Sequence, residues 1–189
     1  MIAVVASILV LQKAMLLHAG TTFQIRLDPN ARHPLQVWLK STKVCDGLIP
    51  DHHPWALEIA DVDGDGDDDI VVGINETTRY LKFPHKTLFV MHFDGKQLSR
   101  KWAGSTLGRP FTEFCFGPKV AGRGQLLVTL DRCLDGQLAL TARRWSGFGF
   151  QTVGNEKFFT DASDLHIEQS NLVLTSNHCL VSIPIQGLL

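Results

Sequence analysis

Residues 58–74 read EIADVDGDGDDDIVVGI. The stretch sets Asp61, Asp63, Asp65, Asp67 and Asp69 on alternate positions, with Gly64 and Gly66 between them and Ile70-Val71-Val72 directly after. So acidic a run cannot pack into an apolar core, because unpaired buried carboxylates are strongly disfavoured. In water the like charges repel one another. A hard divalent cation removes both difficulties. Calcium takes about six to eight oxygen ligands, and a turn with Asp at positions one, three, five and nine and a backbone carbonyl at seven supplies most of them. Here those are Asp61, Asp63, Asp65 and Asp69 with the carbonyl of Asp67, while Gly66 at position six permits the chain reversal. The stretch reads as a calcium loop.

A helix-loop-helix calcium site needs a bidentate acid at position twelve and a helix beyond it. Position twelve is Val72, and Ile-Val-Val-Gly after position nine is a β-branched run that favours a strand. An apolar residue, a D-x-[DN]-x-D-G-x-x-D loop and an apolar strand together resemble the FG-GAP or VCBS repeats of integrin α-subunit propellers and many secreted bacterial proteins. The resemblance covers residues 58–74. It implies a β-propeller of four-stranded blades, a structural calcium ion and an extracellular protein or polysaccharide partner met by loops on one face. The alternative is a solvated acidic turn that binds nothing in particular.

The 189 residues are 20% charged and 44% hydrophobic, a globular composition. A formal net charge of -1 hides an asymmetry: seven of the 19 acids lie between Glu58 and Asp69, leaving 12 acids against 18 Lys and Arg elsewhere. No basic residue falls between Val44 and Thr78, so the acids lack partners nearby in sequence. The basic residues are scattered, without a dense run or interleaved aromatics, which excludes a nucleic-acid partner from the expectations.

Ile2 to Leu11 and Ala14 to Leu17 are apolar, and Leu17-His18-Ala19 before Gly20 suits a cleavage site. Residues 1–19 therefore read as a signal peptide or, alternatively, as a buried strand. The first reading places the protein at the cell surface, in the periplasm or outside the cell. Cys45, Cys115, Cys133 and Cys179 allow one or two disulfides in such a setting, Cys115–Cys133 first, or else buried free thiols.

Strands are expected over Thr21–Leu27, Leu35–Leu39, Ile70–Ile74 and Lys86–Phe93, with a loop over Cys45–Trp55 and a tight turn at Asp94-Gly95. A second copy of the pattern follows. Gly122-Arg123-Gly124 before Leu126-Leu127-Val128 echoes Gly64-Asp65-Gly66 before Ile70-Val71-Val72, at an offset of 58; Gly95 and Gly147 are 52 apart. Self-similarity near fifty residues marks propeller blades. The second copy lacks the carboxylates, and Arg123 would repel a cation. A weak third copy spans 158–185, with strands at Leu172–Leu174 and Leu180–Ile183 around Asn177-His178.

The sequence thus predicts an all-β, propeller-like array of four-stranded blades over residues 20–189, partial or open, with a calcium repeat around 56–105 and a degenerate one around 112–152. An open array needs its sheet edges covered, by oligomerisation or a partner chain. The expected function is a calcium-stabilised, non-enzymatic binding or adhesion module. The alternatives are a secreted polysaccharide lyase or hydrolase on the same scaffold, and a truncated repeat protein with no ligand of its own. No G-x-S-x-G, phosphate loop or H-E-x-x-H motif is present, and the histidines show no ligand spacing.

Overall fold

The computed structural model of the chain describes residues 11–104 and 107–189. It is all-β, with four antiparallel sheets arranged as the blades of a four-bladed β-propeller. The first sheet holds β1 (Gln12–His18), β2 (Thr21–Leu27), β3 (Leu35–Leu39) and β4 (Thr42–Gly47). The second holds β5 (Ala56–Ala60), β6 (Asp69–Glu76), β7 (His85–Phe93) and β8 (Leu98–Ala103). The third holds β9 (Phe111–Phe116), β10 (Leu127–Arg132), β11 (Leu138–Trp145) and β12 (Phe150–Phe159). The fourth has three strands among the described residues: β13 (Ser163–Glu168), β14 (Asn171–Ser176) and β15 (Cys179–Pro184). Each sheet pairs its strands in chain order, and β1 packs beside β5, β5 beside β9 and β9 beside β13.

Strand alternation assigns the core. On β6, Ile70, Val72 and Ile74 face the first sheet, while Val71 faces the third. On β7, Phe89, Met91 and Phe93 point one way, and Leu88 and Val90 the other. On β10, Val128 and Leu130 join the core against the fourth sheet, whereas Leu127 joins the core against the second. Inner strands buried on both faces read as unbroken apolar runs, which is why IVVGI is so apolar. The three core clusters lie between first and second, second and third, and third and fourth sheets; among the described residues none of these three joins the first sheet to the fourth.

The strand alternative for residues 1–19 finds support in the structure. Residues 1–10 of that expectation lie outside the described residues, but Gln12–His18 is β1, paired along its whole length with β2. Leu16 is 1% exposed in the first core cluster, so cleavage after Ala19 would strip β1 from the first sheet. A first sheet therefore precedes the two repeats found in the sequence. The loop over Cys45–Trp55 also starts late, since Cys45 to Gly47 pairs with Leu35 to Val37.

No disulfide forms among the described residues, and all four cysteines are free. Cys115 on β9 lies opposite Val128 of β10, and Cys133 is five residues further along, about 17 Å at strand rise. Cys115 lies on β9, but Cys133 falls just past the end of β10, and the register separates the thiols. The turns were more legible. Asp94 accepts from the backbone N–H groups of Lys96 and Gln97 at 2.9 and 2.8 Å, beside Gly95 at φ 92. Asn177 and His178 both have positive φ, the signature of a two-residue hairpin turn that matches strand twist.

Candidate metal centre in the β5–β6 loop

The loop between β5 and β6 is fixed from inside and from its neighbour. Val62 is fully buried and plugs the core between the second and third sheets, flanked by the buried Asp61 and the half-buried Asp63. Asp61, 3% exposed, organises the turn: Oδ1 accepts from Gly64 N–H at 2.7 Å and Oδ2 from Gly66 N–H at 3.1 Å. Gly64 and Gly66 take positive φ, at 81 and 97. Asp65 Oδ1 accepts from Asp67 N–H at 2.9 Å.

This folding brings Asp61, Asp63 and Asp65 together, with one carboxylate oxygen of each within 4.8 Å of the others. Two ligands each about 2.4 Å from a shared calcium ion can stand up to about 4.8 Å apart, so the spacing suits such an ion. The cluster could hold a metal ion. Asp69, at the start of β6, is 1% exposed. Its Oδ1 and that of Asp63 are buried with no hydrogen-bond partner; His92 Nδ1 stands 3.8 Å from the Asp69 oxygen. A polar atom left this way is costly, and a cation is one partner that would satisfy it. Asp67 is exposed, and its carboxylate stands apart from the three that converge.

Two lysines, both distant in sequence, supply partners that local reading missed. Lys101 Nζ of β8 lies 2.8 Å from Asp63 Oδ2, 3.0 Å from Asp69 Oδ2 and 3.8 Å from Asp65 Oδ2. Lys119 Nζ, from the β9–β10 loop, donates to Gly66 O at 3.1 Å and Asp68 Oδ1 at 2.9 Å and approaches Asp61 Oδ2 at 3.7 Å. The acids are thus not without basic partners, as their sequence neighbourhood suggests. Burial pushes Asp69 up to about 6 against the opposing pull of Lys101, with the charges of Asp63 and Asp65 adding to the rise. Burial also raises Asp63, but there the Lys101 hydrogen bond and charge outweigh it and hold the carboxyl below its ordinary value. Burial lowers Lys101, but its bonds to Asp63 and Asp69 outweigh that effect and hold the ammonium above its ordinary value.

The acidic loop also docks on the β9–β10 loop of the next sheet. A Cβ at Gly124 would sit on the carbonyl oxygen of Val62, and one at Gly64 on the backbone of Arg123 and Gly124. Beside this junction, between the third and fourth sheets, lies a cavity of about 430 Å³ lined by Gly117, Arg123, Leu126, Arg144, Asn171 and Ile185. Loop and cavity lie at the same end of the array. No family model matches the chain, and no curated protein or solved structure matches it either. Fold and site define a four-bladed propeller with an acidic loop on one blade.

Proposed function

We propose that the protein is a calcium-stabilised, non-enzymatic binding module, in which an ion held by Asp61, Asp63, Asp65 and Asp69 fixes the β5–β6 loop. One observation carries the reading. Asp69 is almost wholly buried, yet its Oδ1 lacks a partner at the edge of a cluster of three carboxylates. The ion's part is structural: it would anchor the start of β6 and hold the loop against Gly124. The neighbouring cavity at that end, with Arg123 and Arg144 in its wall, is where a partner would meet the module. The resemblance to FG-GAP and VCBS repeats favours an extracellular protein or polysaccharide as that partner, and a secreted, periplasmic or cell-surface setting. That part of the reading rests on fold-level analogy.

The test is thermal melting in EDTA and across a calcium chloride titration. By mass action an ion that binds only the folded chain raises the melting temperature. The native chain should show that rise and Asp65→Ala should not. A native melting curve indifferent to calcium overturns the reading. A metal-free reading also has an observation behind it, since Lys101 already bridges Asp63 and Asp69. It expects that indifference.

A further inference from the structure

We infer that Lys101 is a tethered cation that exchanges with the divalent ion in the β5–β6 loop and so determines how tightly that ion is held. The inference rests on the calcium reading above and concerns the affinity of that site.

Its first support is how Lys101 is delivered. The β7–β8 ladder runs Phe89–Ala103 and Val90–Trp102, then steps to Met91–Arg100. Lys101 is the extra residue of this bulge. Bulges break the strict alternation of a strand and re-aim a side chain, and they recur beside functional sites. Here the bulge turns the ammonium toward a loop more than thirty residues earlier in the chain. A lysine merely decorating an exposed strand has no need of it.

The second support is which atoms Lys101 takes. It sits on Asp63, Asp65 and Asp69, the acids at positions three, five and nine of the loop. An ammonium has three N–H donors and a single charge. Two of its hydrogen bonds go to Oδ2 atoms, which leaves Asp63 Oδ1 and Asp69 Oδ1 buried without a partner. The clasp is therefore incomplete. Six aspartates between Asp61 and Asp69 face two lysines, so negative charge remains in excess. A divalent ion with several open coordination positions satisfies more of these oxygens than the lysine does. To admit it, the ammonium must give up the Oδ2 atoms.

Lys119 provides the contrast. It hydrogen-bonds Gly66 and Asp68 at the outer rim, approaches one proposed ligand oxygen, Asp61 Oδ2, only at 3.7 Å, and its side chain is 46% exposed. It leaves the oxygens of Asp63 and Asp69 alone, so it should compete little.

Isothermal titration calorimetry with calcium chloride tests the exchange on the full chain. Lys101→Met should bind calcium at least about tenfold more tightly than the native protein, because the ion no longer displaces charge-assisted bonds. Lys119→Met should stay within about threefold of native. Equal affinities for Lys101→Met and the native chain overturn the exchange while leaving calcium binding intact. Absence of calcium binding in both overturns the exchange and the calcium reading together. Removing a partner of buried Asp69 could unfold the variant, so the native chain carries a second measurement. Acetylation of Lys101 by a mild amine reagent, read by peptide mass spectrometry, should speed up several-fold with calcium, relative to exposed Lys13. An unchanged ratio at saturating calcium also overturns the exchange.

Discussion

Gln125 brackets Asp61 across two blades. Its backbone N–H donates to Asp61 O at 2.8 Å, and its side-chain Oε1 accepts from Asp61 N–H at 2.7 Å. The same amide then donates from Nε2 to Gly117 O at 2.6 Å. One residue of the β9–β10 loop therefore holds the first acid of the acidic loop. Gln125→Ala would leave two backbone groups without partners at a tight junction, at a cost of about 1–3 kcal/mol. Chemical denaturation should show that loss, and calcium should recover less of it than in the native chain. A variant as stable as native would remove Gln125 from the junction.

Asp69 gives a pH dependence whose sign can be worked out. Its carboxyl is raised from 3.8 to about 6 in the metal-free fold, chiefly by burial. The folded state therefore binds its proton more tightly than the unfolded chain does. This group's contribution to stability is greatest below about pH 4 and is lost as the pH climbs through about 6. In EDTA, Asp69→Asn should flatten the melting profile between pH 4 and 6. At pH 7 it should exceed the native chain, by about 1 kcal/mol or more. In calcium the order reverses, because the variant has lost a ligand. A native advantage in EDTA at pH 7 would contradict the assignment.

Opposite charges lie buried between the second and third sheets. Arg143, 2% exposed, donates to both carboxylate oxygens of Asp131, to Thr129 Oγ1 and to Leu107 O; Arg109 reaches Asp131 and Glu156 from the rim. Removing one member strands the other charge in the interior, at about 3–5 kcal/mol. Asp131→Asn and Arg143→Met should each lose that much by chemical denaturation. The Asp131→Asn/Arg143→Met pair should lose much less than the sum. Additive losses would show that the two residues act independently.

The cysteines can be counted in solution. Cys179 is exposed, while Cys115 is buried, with its thiol pushed up by desolvation and by Glu58 and Glu113. A thiolate reagent should modify Cys179 at once in the native protein and reach Cys115 only on unfolding. All four should react in denaturant without prior reduction. Fewer than four reactive thiols would mean a disulfide.

The strands and hairpins were legible because each follows from neighbours in sequence. Ile70 to Ile74, Asp94-Gly95 and Asn177-His178 carry their own geometry in apolar runs and turn residues. The spacing of 58 between Gly66 and Gly124 recurs between the start of β6 at Asp69 and that of β10 at Leu127. The first sheet was harder to see as a blade, since Ala19-Gly20 is a bare turn with no acidic loop to betray the repeat. Lys101 was invisible because alternation in LSRKWA marks it as one more solvent-facing charge, and only the bulge turns it inward. Arg143 was hidden for a related reason: its partner Asp131 belongs to a different strand, and register alone decides that they meet.

The contact of Gly124 with Val62 leaves no room for a methyl group. Transplanting residues 61–69 alone into another scaffold would therefore carry the donor atoms without the surface that shapes them. The smallest portable unit is a pair of adjoining hairpins, one contributing acids and the other a bare backbone against which they settle. A designer borrowing this acidic cradle must copy both, glycine included.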